Sequence, residues 1–191
     1  LSHLPQKCKK IIIPYVYSTW QWSTICDVQR DLTLNFNKIN ADGTNIKYIN
    51  KEVIQSLKKF YKLQQILELY DEGKIDFKYK ERMENEISIL RKNENSAQVK
   101  VSDFIIENYK KQQLFTTQNH PTYPIFKHMV FQIAELLNLT PPSNKKLDDS
   151  FLLPGNLKFS SYDINYHNFE FPVEIDDNLI KKYITDIYNL F

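Results

Sequence analysis

A helix-rich α/β fold, with a small, mostly parallel sheet flanked by several amphipathic helices, is what this sequence predicts. Three observations lead there. The run KKIIIPYVYS (9–18) concentrates β-branched and aromatic residues. Its three consecutive isoleucines do not alternate with polar residues, the pattern of a strand covered on both faces. Long stretches elsewhere repeat apolar residues every three or four positions, the period of a helix with one buried face. Finally, 191 residues with 42% hydrophobic and 25% charged side chains suit one globular domain.

Element by element, Pro5 sets off the first strand and Pro14 ends or loosens its pairing. Residues 18–45 read as a long connection that turns at Asp42-Gly43. Within it Trp20 and Trp22 have polar neighbours, Ser18, Thr19, Gln21 and Ser23, which suit a surface loop with one indole lining a groove. Asn50 caps a helix over 51–70 whose apolar face includes Val53, Ile54, Leu57 and Leu67. A second helix runs from Phe77 to Lys92, with Tyr79, Met83, Ile87 and Leu90 inward and its charged positions on a solvated face. Ser102 reads as the N-cap of the next helix, with Asp103 beside its positive end.

A short strand, QLFTT (113–117), precedes the turn at Asn119-His120-Pro121. Thr122 then caps a helix from Tyr123 to Leu139, with Pro124 tolerated in its first turn. Residues 143–175 carry only a turn at LLPGN and weak strand signals, and residues 177–191 form a last amphipathic helix. The organisation expected is one α/β domain over 1–191, with 143–191 as a looser C-terminal arm that ends in that helix.

Composition narrows the function. The net charge of +2, from 25 basic and 23 acidic residues mixed along the chain, lacks the basic stripe of a nucleic-acid binder. Cys8 and Cys26 form neither a disulfide scaffold nor a zinc motif, so a reducing, cytoplasmic setting is expected. His3, His120, His128 and His167 have no metal-ligand spacing, and no metal is expected. No apolar run approaches the ~20 residues of a membrane span. Only three glycines and 14% aromatic residues point to a packed interior.

His120 stands between Asn119 and Pro121, with Thr122 and Pro124 following, so its backbone is stiff. Three readings compete. The pair satisfies backbone groups in a tight turn, or His120 binds a metal, or it is catalytic. In the last, the positive end of the following helix keeps the imidazole neutral, the state a general base needs. The N–H groups of that helix end would also hold a phosphate or a developing oxyanion.

IIIPYVY (11–17), a helical spacer and then SDFIIENYKKQQLFTTQNHPTYPIFKHMVFQIAELLNL (102–139) resemble the WcbI-type polysaccharide-biosynthesis family over residues 8–139. The QLFTTQNHPT stretch carries the likeness most specifically. The resemblance implies an α/β fold, coenzyme A binding, and acyl transfer, acetylation of a capsular sugar from acetyl-CoA. It carries over His120 and Asn119 as catalytic, with Thr122 beside them. Family members usually begin with a strand and an Asn-Cys-Gln turn, which is missing here. The chain is expected either to lack its N-terminal portion or to be a divergent member.

An acyltransferase needs a cofactor pocket, an acceptor groove and a base. Lys7, Lys9, Lys10, Lys110 and Lys111 are the candidates for the phosphates of coenzyme A, together with Thr122 at the helix end. Tyr15, Tyr17, Trp20 and Trp22 are the candidates for stacking on an adenine or on a sugar acceptor. The alternative is a non-catalytic glycan- or partner-binding module of a larger polysaccharide-biosynthesis protein. A hydrolase is a third reading, without a GxSxG elbow to support it.

Overall fold

The computed structural model describes residues 8–23, 51–141 and 158–190. The expected turns at Asp42-Gly43 and LLPGN, the Asn50 cap, His3, Lys7 and Cys26 lie outside those residues. The described elements are α1 (Lys51–Lys58), α2 (Leu63–Asp71), α3 (Tyr79–Glu94), α4 (Ser102–Asn108), β1 (Phe115–Thr117), β2 (His120–Pro121), α5 (Tyr123–Leu136), α6 (Ser161–His167) and α7 (Asp177–Leu190).

Helix-rich the chain is, but a mostly parallel sheet is absent from the described residues. β1 and β2 pair antiparallel, with Phe115 opposite Pro121 and Thr117 opposite His120. Parallel pairing among the described residues is a single bridge between Phe159 and Ile175. The expected first strand joins no ladder there. Ile12 and Ile13 are each 46% exposed, so the isoleucine run is not covered on both faces. What alternates is the stretch after it: Pro14, Val16 and Ser18 are buried while Tyr15 is exposed. The segment is fastened by separate bonds instead, Ile12 N–H to Gln98 Oε1 at 2.7 Å and Ser18 N–H to the Gln118 carbonyl at 2.7 Å.

The helix expected over 51–70 is two helices. Phe60 and Tyr61 N–H both turn back to the Leu57 carbonyl, and Gln65 Oε1 accepts Lys62 N–H at 2.9 Å to start α2. The bend lets α1 and α2 each lie on α7. Ile54, Ile66, Phe77, Ile180 and Ile184 fill the core between them. A second apolar cluster joins Trp20 and Trp22 to Leu114, Phe115, Ile125 and Phe159, beneath α3, α4 and α5.

The charged face of α3 is not simply solvated, as the sequence had suggested. Glu86 and Glu94 are 8% and 4% exposed. Glu94 Oε1 accepts Val101 N–H at 2.5 Å and Ser102 N–H at 2.8 Å, and its Oε2 accepts the Ser102 hydroxyl at 2.5 Å. Ser102 is therefore the first residue of α4, not its cap. Glu86 accepts Thr19 N–H at 2.9 Å and the Thr19 hydroxyl. Arg82, one turn earlier, donates to the Thr19 carbonyl at 2.7 Å and the Trp22 carbonyl at 2.9 Å. Spacing of four residues puts Arg82 and Glu86 on one face.

Between the two cores lies Asp163, fully buried. Its carboxylate accepts Ser23 N–H at 2.6 Å, Tyr79 Oη–H at 2.7 Å and Ser160 N–H at 2.6 Å. Ser160 Oγ accepts Asp163 N–H in return, a reciprocal cap that starts α6. Four residues on, buried His167 gives Nε2–H to the Trp20 carbonyl at 3.2 Å, while its Nδ1 has no partner.

These two groups titrate against each other. Burial raises the Asp163 carboxyl from 3.8 to about 6. Burial lowers the His167 imidazole from 6.5 to about 4, because protonation would place a buried N–H at Nδ1 with nothing to accept it. The stability that Asp163 contributes is full below its unfolded value and is lost as pH rises through about 6. That of His167 is full above its unfolded value and is lost as pH falls through about 4. Each amounts to about 3 kcal/mol, so the pair nearly cancels between these pH values. Urea denaturation of Asp163→Asn should show stability rising with pH across that window, and His167→Gln should show it falling. Two variants that both track the wild-type profile would contradict this.

Candidate functional site

The chain reaches the candidate site through β1, a two-residue turn at Gln118-Asn119, and β2. Phe115 is fully buried and anchors the hairpin, whereas His120 is exposed at its tip. Thr117 and His120 are opposed across the two strands. The Thr117 hydroxyl is hydrogen-bonded to His120 Nδ1 and donates to Asn119 Oδ1 at 3.3 Å. The imidazole is thus held at one nitrogen, and Nε2 is directed away from that contact with no bond to the described residues. Asn119 and His120 are brought together as the sequence suggested. Thr117 was missed, although its place three residues before the histidine across a short turn was readable.

Thr122 occupies the N-cap position of α5, but its hydroxyl does not cap. It donates instead to the Gln113 carbonyl at 2.6 Å, while Thr122 N–H bonds the Leu114 carbonyl at 2.8 Å. Both bonds close the base of the hairpin. Ile125 and Phe126 N–H both turn back to the Thr122 carbonyl, and Pro124 has no N–H. The first turn of α5 therefore offers a phosphate far less than an open helix end would. With its hydroxyl engaged and only 5% exposure, Thr122 locks the hairpin rather than presenting a ligand donor.

The aromatic loop needs the larger correction. Trp20 and Trp22 are each 1% exposed and belong to the core. Trp20 meets Tyr109 edge-on at 4.7 Å, and Trp22 stacks on Phe159 at 5.3 Å. Neither indole lines a groove, so both drop out of the expected stacking platform. Their polar neighbours are buried too: Thr19 and Ser23 are met by Glu86, Arg82 and Asp163, while the Ser18 hydroxyl, Gln21 Nε2 and Trp22 Nε1 have no hydrogen-bond partner among the described residues. Tyr15 and Tyr17 behave differently. Tyr15 is 66% exposed, Tyr17 is half-buried, and their rings lie 5.9 Å apart. The bond from Ser18 N–H to the Gln118 carbonyl sets this pair beside the hairpin turn.

The lysines fall in two places. Lys9 Nζ bonds the Leu136 carbonyl at the C-terminal end of α5. The segment from Lys9 and Lys10 to Tyr17 thus runs along α5 towards the hairpin. The 14-residue helix is about 21 Å long, so these lysines stand a helix length from its first turn. Lys110 and Lys111 follow α4, where Lys110 Nζ lies 5.7 Å from the Tyr109 ring centre. A groove of about 640 Å³ runs over α3 between Tyr109 and Tyr166, floored by Met83, Ile87 and Ile106. A smaller one of about 350 Å³ lies between Phe104, Lys127, His128 and Phe131. His128 stacks on Phe104 at 4.3 Å and donates to the Lys100 carbonyl. Among the described residues no group of three or more His, Cys, Asp or Glu is placed to hold a metal, and no helix is long and apolar enough to cross a membrane.

The chain belongs to the polysaccharide biosynthesis enzyme WcbI family, whose model matches residues 1–142, hairpin included. Its fold is similar to that of a solved WcbI structure, described as a novel polysaccharide biosynthesis enzyme in its native form without a disulfide bond between coenzyme A and one of its cysteines. The two chains are 14% identical, with a TM-score of 0.64 over 94% of this chain. This chain spans 61% of that protein's length. No curated protein matches it.

Closure of the hairpin by the Thr122 hydroxyl can be tested without touching His120. Thr122→Val keeps the branched shape and removes the bond to Gln113, and should lose about 1 kcal/mol in denaturant unfolding. Thr122→Ser should recover most of it. A loss in Thr122→Ser with none in Thr122→Val would show that the methyl group, and not the hydroxyl, matters.

Proposed function

We propose that the full-length protein transfers an acetyl group from acetyl-coenzyme A to a sugar hydroxyl in capsular or surface polysaccharide biosynthesis, in the cytoplasm, with His120 as general base. The observation that carries this reading is an exposed imidazole, held at Nδ1 on a hairpin whose base is buried, in a member of a polysaccharide-biosynthesis family. Acetyl-coenzyme A, when bound, supplies the thioester carbonyl and a thiol leaving group. The Tyr15 and Tyr17 rings beside the hairpin fit the sugar acceptor, and the cations of Lys9 and Lys10, a helix length from the imidazole, fit the phosphates at the other end of the pantetheine arm. Lys110 and Lys111 form a second cationic pair within the reading.

The residues of this chain then divide the work. His120 Nε2 accepts the proton of the sugar hydroxyl as its oxygen bonds the acetyl carbon. The C–S bond breaks, and the imidazolium returns that proton to the departing sulfur, so no proton or electron is left over. Asn119 orients the ring through Thr117, and in this reading its amide N–H groups donate to the oxygen that gains charge.

Acetyl transfer followed by thiol release tests the assignment in the full-length protein. His120→Ala should slow turnover ~10²–10⁴-fold with an unchanged melting temperature, and coenzyme A should raise that temperature in both proteins. Normal transfer by His120→Ala would remove the base. Stabilisation by sugars but never by coenzyme A would return the chain to the binding-module class.

A further inference from the structure

We infer that Thr117 is a positioning residue that fixes His120 in the Nδ1–H tautomer and so keeps the lone pair on Nε2; this rests on the proposed role of His120. A hydroxyl has one proton. The Thr117 proton is directed to Asn119 Oδ1, a carbonyl oxygen that can only accept. The oxygen of Thr117 must then meet His120 Nδ1 with a lone pair, and the hydrogen in that contact belongs to the ring. The order of donation is imidazole to threonine to asparagine. A neutral ring that spends its only N–H at Nδ1 leaves Nε2 basic.

The backbone makes the arrangement specific. Thr117 and His120 are a cross-strand pair, and Asn119 sits in the turn that joins them, so all three groups are placed by four consecutive residues. Two other described histidines bond backbone carbonyls through Nε2, His167 to Trp20 and His128 to Lys100. A carbonyl accepts only, so both neutral rings carry hydrogen at Nε2. His120 is set the opposite way. The fold has placed one imidazole for proton acceptance at its outer nitrogen and two for donation.

Long-range nitrogen–proton NMR spectra of ¹⁵N-histidine-labelled protein, above the pH of imidazole titration and without substrate, read each tautomer directly. In the wild type His120 should show a protonated Nδ1 and a bare Nε2, with His128 and His167 reversed. Thr117→Val should move His120 towards Nε2–H. Asn119→Ala should do the same, because the freed hydroxyl turns and donates to Nδ1. Thr117→Ser should keep the wild-type pattern. In the transfer assay Thr117→Val should lower kcat with KM unchanged, and Thr117→Ser should restore it. A wild-type His120 already protonated at Nε2, or a ring unmoved by Thr117→Val, overturns the inference. The tautomer is read without turnover, so it can hold even if His120→Ala proves fully active, which would overturn only the catalytic reading.

Discussion

The structure depends on burying a short polar-aromatic segment, residues 18–23, of which none is more than 2% exposed. Two indoles contribute apolar area, but the backbone and hydroxyls between them must find partners where water is excluded. Three charged or titratable groups meet most of that demand. Glu86 and Arg82 grip the Thr19 end, and Asp163 grips Ser23. Removing a single one would leave several donors or a carbonyl unsatisfied, so the network is costly to break even though its assembly contributes little net stability. Tyr79 and His167 complete the contact between the two apolar cores.

The candidate site is a consequence of that burial. Ser18 begins the buried segment, and its N–H holds the Gln118 carbonyl. The hairpin is therefore clamped from one side by this bond and at its base by Thr122 and Phe115. A two-residue strand has little stability of its own, and an exposed histidine on a free loop would sample many orientations. Tying the turn to a core segment restricts the ring without burying it. The same bond brings Tyr15 and Tyr17 to the hairpin, so rings, turn and imidazole share one anchor.

Helical periodicity was legible where one face is apolar, as in α5 and α7, and the strand before the histidine was legible from its residue types. The break between α1 and α2 was not, because KKFYK contains neither glycine nor proline and the bend is imposed by packing on α7. The start of α6 was written in the sequence as Ser160 followed three residues later by Asp163, a capping-box spacing hidden in a stretch that looked irregular. The buried indoles were misread for a physical reason. Serine, threonine and glutamine beside tryptophan signal a surface only when no partner waits inside, and here the carboxylates come from 67 and 140 residues away. The Asn119-His120 pair was readable. The threonine that orients it needed the register of the hairpin.

Native-state hydrogen exchange at the Ser18, Thr19 and Ser23 amides tests the dependence of the hairpin on the buried segment most directly. These donate to Gln118, Glu86 and Asp163 respectively. The account requires all three to exchange only through global opening, with one common free energy that rises and falls with overall stability. Rapid exchange at Ser18 while Thr19 and Ser23 stay protected would mean that the hairpin moves independently of the core, and the central claim would fail.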